Sequence, residues 1–140
     1  MSERPKVKII VDTNVLISGL YFGGFPGEIL KYIQIGLFSP YASEEIIDEY
    51  LEVVKRLSEK NHQSDEFVLK AFLSKLSVIK TKSSLEICRD KDDDKFINCA
   101  IDAKAIYIVS GDEDLLVLKS VENIEIVTAK ELCERVKIID

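Results

Sequence analysis

The chain has 140 residues, of which 46% are hydrophobic and 31% are charged, and its formal net charge is −6 at pH 7. This length suits one domain over residues 1–140, with enough residues for a hydrophobic core. No apolar run approaches the ~18 residues of a membrane helix, and the N-terminus lacks a signal-peptide core, so we expect a cytoplasmic protein that does not bind membranes. The negative charge disfavours a protein that coats nucleic acids through clustered Lys and Arg.

The cysteines and the histidine indicate little chemistry of their own. Cys88, Cys99 and Cys133 are odd in number and widely spaced, which is typical neither of a disulfide framework nor of a zinc site. We expect them to be small apolar residues of the core. His62 lies in a polar stretch, and we expect it on the surface, outside any acid–base chemistry.

Strand and helix patterns alternate in the first half of the chain. Lys6–Val11 is a β-branched run typical of a buried strand, and Thr13–Tyr21 has helical character. The segment Phe22–Gly27 is rich in glycine and predicts a break. Further elements are predicted at Glu28–Ile35 (helix), Phe38–Ala42 (extended), after the N-cap Ser43 (helix), Asp65–Leu76 (helix) and Val78–Ile79 (strand).

The second half repeats this alternation. The predicted elements are helix Asp92–Lys104, strand Ala105–Val109, a helix that starts in Ser110–Val117, strand Glu125–Val127 and helix Ala129–Val136. In the third of these, Ser110 and Glu113 are spaced as a capping box. Repeated strand–helix–strand units with nearly continuous apolar strands favour a parallel sheet covered on both faces. We therefore predict an α/β fold, a three-layer α/β/α sandwich with a central, mainly parallel sheet.

Acidic residues recur where this fold would bring them together. Asp12 ends the first strand, Asp112 and Asp114 follow a late strand, and Asp92–Asp94 begins a helix. Ligands bind at the carboxyl ends of strands in open parallel sheets. A buried charge at Asp12 costs several kcal/mol unless it is compensated. In the helix after Ser43 several acids remain candidates, and the helical spacing only mildly favours Glu49, at the margin of the apolar stripe.

Each acid also has an ordinary structural explanation. Asp12 suits a helix cap, Asp112 a helix start, Asp92–Asp94 a helix N-terminus, and Glu49 a solvated surface. These separate explanations do not account for the recurrence of acids at one sheet edge.

Three segments resemble the PIN-domain family, which is the fold of the VapC-like toxins of toxin–antitoxin pairs. They are, in order, VDTNVLISGL, SEEIIDEY and RDKDDDKFINCAIDAKAIYIVSGDEDLL. The resemblance extends from about Lys6 to Val136 and implies a metal-dependent endoribonuclease that uses Mg²⁺ or Mn²⁺. It also implies an RNA substrate, an antitoxin partner and a homodimer or higher oligomer.

By position, the resemblance implies a set of site residues. The catalytic acids would be Asp12, Glu49, Asp94 and Asp112, and Asp114 would join Asp12, Asp94 and Asp112 as a metal ligand. The third acid is the one directly before Lys95-Phe96, although three aspartates are adjacent there. The residues expected to orient these acids by hydrogen bonds are Thr13, Asn14 and Ser110.

Carboxylates of this kind suit hard divalent cations, which prefer oxygen ligands and activate water for phosphodiester hydrolysis. The main alternative is a PIN-fold binding or scaffold module without nuclease activity. Another phosphate-handling α/β domain, such as a phosphatase or a receiver domain, is disfavoured. Asn14 stands where an aspartyl phosphatase has its second Asp, and Ser110-Gly111-Asp112 stands where a receiver has its lysine.

Overall fold

The structure is a computed structural model that describes residues 6–60 and 66–139. His62, and Asp65 at the start of a predicted helix, lie outside these residues, so the surface position of His62 stays a prediction. The assignment of residues 1–140 to one domain also stays a prediction. Within the described ranges, no helix is long and apolar enough to cross a membrane.

Six strands form one sheet in the order β3-β2-β1-β4-β6-β5. They are β1 (Val7–Val11), β2 (Phe38–Ser43), β3 (Ser77–Ile79), β4 (Tyr107–Val109), β5 (Ser120–Val121) and β6 (Ile124–Val127). All neighbours are parallel except β5, which pairs antiparallel with β6 and was not predicted. Ile9, Ile10 and Val11 of the central strand are fully buried. An apolar, β-branched strand is expected where both faces of a parallel sheet are covered.

Seven helices flank this sheet in the described residues, which confirms the predicted α/β architecture. They are α1 (Thr13–Tyr21), α2 (Gly24–Gln34), α3 (Glu44–Glu59), α4 (Glu66–Lys75), α5 (Asp94–Ala103), α6 (Glu113–Leu116) and α7 (Ala129–Ile139). The helix α5 packs against β1, β2 and β4, whereas α2 packs against α1, α4 and α7. All three cysteines are free and buried, as predicted.

Three predicted boundaries are wrong, each for a local reason. The helix α2 begins at Gly24 rather than Glu28, because Pro26 lies in the first turn, where a missing N–H costs nothing. The predicted helix Asp92–Lys104 divides into a 3₁₀ turn, Lys91–Asp93, and α5. The predicted capping box of Ser110 and Glu113 does not form, since Asp112 is the N-cap of α6.

The order of the strands creates a switch point between β1 and β4. The chain passes from β1 to β2 and β3 on one side and then returns to β4 on the other side of β1. The amide of Asp12 donates to the carbonyl of Val109 over 2.9 Å, so the carboxyl ends of these strands lie side by side. In open α/β sheets this crevice is the usual place for ligands.

Candidate metal centre

Asp12 lies at the N-cap position of α1, yet its side chain makes no capping hydrogen bond within the described part of the chain. Its carboxylate is buried and accepts a hydrogen bond from Ser110 Oγ over 2.6 Å. Burial raises the pKa of Asp12 most, and the charges of Asp112 and Glu49 also raise it, whereas the bond from Ser110 and the nearby backbone amide of Asn14 lower it. A helix cap alone therefore does not explain this carboxylate.

Ser110 and Asp112 form a rigid turn beside Asp12. Ser110 is fully buried, and its Oγ accepts a hydrogen bond from the amide of Asp112 over 3.0 Å while donating to Asp12. Asp112 Oδ1 in turn accepts from the amide of Asp114 over 2.9 Å. Asp112 thus has the structural role that the sequence allowed, as the start of a helix, and it also contributes its charge to the group around Asp12.

Asp93 joins this group from the 3₁₀ turn. It is only 7% exposed, and its Oδ2 is buried with no hydrogen-bond donor among the residues that the structure describes. Burial raises the pKa of Asp93 to about 7, with further contributions from the charges of Asp112, Asp90 and Asp12. Asp93 and Asp112 could share a hydrogen bond only if one of them carried a proton, because an ionised carboxylate is solely an acceptor.

Asp94, the residue selected by the resemblance, faces another way. Its Oδ1 accepts hydrogen bonds from the amides of Ile87 (3.1 Å) and Cys88 (2.8 Å). Burial raises the pKa of Asp94, but these bonds to the ionised form outweigh burial and lower it. Successive residues of a helix point about 100° apart, so one step along the Asp92–Asp94 run changes the side on which a carboxylate lies. The structure places Asp93, and not Asp94, beside Asp12 and Asp112.

A further acid, Asp90, was not predicted. Carboxylate oxygens of Asp90, Asp93 and Asp114 all lie within 4.8 Å of one another. Arg89 contacts the exposed side of this group, with its Nε 3.0 Å from Asp114 Oδ1. The only sequence signal for Asp90 is its place in the acidic run RDKDDD, where the sequence offers no reason to select it.

Glu49 lies beside the group but is engaged by other residues. Its Oε2 accepts a hydrogen bond from Thr13 Oγ1, and its Oε1 lies 2.8 Å from the ammonium of Lys95. Lys95 was missed by the sequence analysis, although it follows the acidic run directly. Asn14 is exposed, and its backbone amide lies close enough to the carboxylate of Asp12 to lower the pKa of Asp12. A role for the side chain of Asn14 in orienting the acids stays a prediction.

A PIN domain family model matches residues 8–114 of the chain. The chain belongs to the PIN domain family. Proteins of this family are generally nucleases and typically use divalent metals, which agrees with the group of acids at the switch point. The matched region contains Asp12, Glu49, Asp93 and Asp112.

Two other comparisons found proteins that are similar to this PIN domain. It is 40% identical over 124 residues to the uncharacterized protein MJ1680 of Methanocaldococcus jannaschii, covering 84% of this chain and 78% of that protein. The crystal structure of PAE2754 from Pyrobaculum aerophilum aligns with a TM-score of 0.62 at 14% identity, over 95% of this chain and 90% of that one. At this identity, the structural likeness concerns the fold alone.

Proposed function

We propose that this PIN domain is a metal-dependent endoribonuclease that hydrolyses phosphodiester bonds of RNA with Mg²⁺ or Mn²⁺. The observation that carries the proposal is the buried Oδ2 of Asp93, which has no donor within the described chain and lies among like charges at the switch point. A buried acceptor without a partner costs free energy, and grouped carboxylates repel one another. A bound cation would remove both costs.

The residues present fit a hard divalent cation. Asp12, Asp93 and Asp112 would supply carboxylate oxygens, and Asp90 and Asp114 lie close enough to Asp93 to add others directly or through water. Mg²⁺ and Mn²⁺ prefer such oxygen ligands and retain several waters, so few protein ligands are needed. In this proposal Asp93 takes the ligand position that the resemblance gave to Asp94.

The chain would contribute chiefly orientation and charge to the reaction. A divalent cation held at these acids would polarise the attacked phosphate and make water a stronger nucleophile. Ser110 holds the carboxylate of Asp12 through a 2.6 Å hydrogen bond, which fixes the ligand before substrate arrives. In hydrolysis, water forms a new bond to phosphorus, the bond from phosphorus to the ribose oxygen breaks, and that oxygen leaves as a hydroxyl group.

An open cleft next to the acids would admit an RNA strand. Its volume is about 770 Å³, and Asn14, Phe25, Asp112 and Lys130 are among the residues that line it. Phe25 offers an exposed ring for a base and Lys130 an exposed ammonium for a phosphate. The cleft supports a single-stranded substrate, since an unpaired base is free to stack on a side chain.

The test is cleavage of a mixed-sequence RNA by purified protein in MgCl₂ or MnCl₂. We expect cleavage to be lost in EDTA and in Asp12→Asn, but retained in Asp48→Asn, an exposed acid of α3 outside the group. Cleavage that survives Asp12→Asn would reject the assigned site. Binding of metal without cleavage of any RNA would favour the alternative, a PIN-fold binding or scaffold module.

We further propose that the chain is the toxin of a toxin–antitoxin pair, acts in the cytoplasm and forms a homodimer or higher oligomer. A protein partner is supported by an apolar groove of about 590 Å³ between α2 and α4, lined in part by Gly23, Ile35 and Phe67. Ile35 and Phe67 are 76% and 82% exposed, and large exposed apolar surfaces often mark interaction sites. Growth arrest on expression, absent in Asp12→Asn, would support the toxin role; normal growth with active enzyme would oppose it.

A further inference from the structure

Lys95 is a buried cation beside the group of acids, where it contacts Glu49 and Asp92. Its side chain is 6% exposed, and its Nζ lies 2.8 Å from Glu49 Oε1 and 2.9 Å from Asp92 Oδ1. The same Nζ donates to the backbone carbonyl of Asp92 over 2.9 Å. An ammonium group has three N–H donors, and here three acceptors surround it. Lys95 is therefore held in one position rather than free to swing between partners.

The ion pair with Lys95 also limits the ability of Glu49 to bind a metal ion. One oxygen of Glu49 accepts from Thr13 and the other from Lys95, so the protein already engages both. Asp93 shows the opposite state, with a buried oxygen that has no donor in the described chain. The acids thus divide into a part with a buried cation, in which Lys95 pairs with Glu49 and Asp92, and a part around Asp93 whose cation in the described chain is Arg89, on its exposed side.

We propose that the ammonium of Lys95 takes the place of a second divalent ion, so that this PIN domain binds one metal ion per chain and Glu49 is not a metal ligand. The inference rests on the proposed function and deepens it. Two-metal nucleases use a pair of cations to stabilise the attacking and the leaving oxygen of the phosphate. Lys95 supplies one of these charges permanently, and Glu49 and Asp92 are positioning residues that hold it.

Burial extends the range over which the charge of Lys95 acts. A lysine charge on the surface is hydrated and screened by salt, whereas a buried charge acts over a longer range. Two carboxylates and a backbone carbonyl surround Lys95 Nζ, and these acceptors stabilise the charged ammonium. Breaking this buried pair on one side would leave an uncompensated carboxylate next to the metal-binding acids.

The first experiment is calorimetric titration of metal-free protein with MnCl₂. We expect one ion per wild-type chain, a dissociation constant for Glu49→Gln within about threefold of the wild type, and a weakening by about tenfold or more for Asp93→Asn. In Lys95→Met, Glu49 and Asp92 lose their cation and should bind a second Mn²⁺. Lys91→Met, an exposed lysine of the adjacent turn, is the matched control and should still bind one.

Two ions per wild-type chain, or equal weakening by Glu49→Gln and Asp93→Asn, would overturn the inference. The variant Lys95→Gln keeps an N–H donor beside Glu49 but removes the charge, and it serves if Lys95→Met does not fold; it should bind two ions. Cleavage of RNA measured beside the titration separates the two proposals. If the wild-type chain binds two ions and cleaves RNA, the nuclease function is supported and the proposed role of Lys95 is rejected. If it binds one ion and cleaves no RNA, the nuclease function is rejected.

The dependence of cleavage on MnCl₂ gives a second readout. If Lys95 replaces an ion, the wild-type rate saturates as a simple hyperbola, and the Lys95→Met rate rises sigmoidally because two ions must now bind. We also expect Lys95→Met to lower kcat at low MnCl₂ with little change in KM, because the charge acts on the transition state rather than on RNA binding. A hyperbolic curve and unchanged kcat for a folded Lys95→Met would overturn the proposal.

Discussion

The substitutions Asp93→Asn and Asp94→Asn provide a sharp test of how these two adjacent carboxylates differ. Asp93 is crowded by Asp12, Asp90 and Asp112, which together with burial raise its pKa from 3.8 to about 7. The folded protein therefore binds this proton more tightly than the unfolded chain does. The resulting stabilisation is complete below pH 3.8, the unfolded value, and is lost as the pH rises through about 7.

The size of this change in stability follows from the shift in the pKa of Asp93. About three pH units at ~1.4 kcal/mol each give an upper bound of ~4 kcal/mol, which screening by solvent at the open side of the group reduces to about 2 kcal/mol. We expect the free energy of unfolding of metal-free protein to fall by about that amount from pH 4 to pH 8. Asp93→Asn should be the more stable protein at pH 8 and should lose most of this dependence. A smaller fall in stability with rising pH should remain in Asp93→Asn, because the pKa of Asp12 is also raised.

Asp94→Asn should behave in the opposite way. The carboxylate of Asp94 accepts two backbone hydrogen bonds. The loss of its charge should lower the free energy of unfolding by about 1–2 kcal/mol at pH 8. The fall in stability with pH that arises from Asp93 should remain. The assay is urea denaturation of both variants and the wild type in EDTA across this pH range, repeated in MnCl₂. Metal should stabilise the wild type by mass action, and it should stabilise Asp93→Asn less at the same MnCl₂ concentration. Loss of the pH dependence in Asp94→Asn but not in Asp93→Asn would refute the assignment.

Two further substitutions test the support of the site and the packing beneath it. Ser110→Ala removes the donor to Asp12 and should lower the free energy of unfolding in MnCl₂ by about 1–3 kcal/mol, as measured by urea denaturation. It should also reduce the initial rate of RNA cleavage. An unchanged rate would show that the position of Asp12 does not depend on this bond. Gly19→Ala would place a Cβ 2.7 Å from Leu30 Cδ1 and 3.0 Å from the backbone oxygen of Pro26, and it should lower the melting temperature, at a cost of about 1–3 kcal/mol. Gly111→Ala, which meets nothing within 4 Å, is its control and should be tolerated, so equal effects would argue against the contact.

The strands and most helices could be predicted because their local patterns agree with their packing. The run Val7–Val11 is apolar and β-branched, and it is the central parallel strand. The N-cap Ser43 was predicted from its position before two acids, and its Oγ accepts from the amide of Ile46 over 3.3 Å. The strand β5 has only two residues, and its position depends on pairing with β6, which leaves no periodic signal in the sequence.

The capping box at Ser110 shows why local spacing was misleading near the site. A serine three residues before a glutamate is typical of a helix N-terminus. Here the hydroxyl of Ser110 donates to Asp12, which is 98 residues away in sequence. The amide of Asp112 occupies the acceptor side of the same hydroxyl, so the cap passes to Asp112. A contact at that separation overrides the local preference, and only the meeting of β1 with β4 reveals it.

The difference between Asp93 and Asp94 has the same origin. Both residues are buried acids, and the sequence distinguishes them only by position. The amides of Ile87 and Cys88 satisfy one, while the other meets carboxylates contributed by β1 and by the turn after β4. The direction of each side chain depends on where the 3₁₀ turn ends and α5 begins, and helix boundaries are the least predictable part of a helix.

The placement of these acids explains how a stable fold tolerates a destabilising site. The carboxylates lie at the ends of β1 and β4, whose preceding residues are apolar and deeply buried, so the core that positions the acids also offsets their repulsion. Relief of that repulsion by a proton is lost as the pH rises through about 7, the pKa of Asp93, whereas relief by a cation persists above it. Repulsion that remains above this pH without a cation favours metal binding over a structural role for Asp93, because a structural carboxylate gains a donor, as Asp94 does.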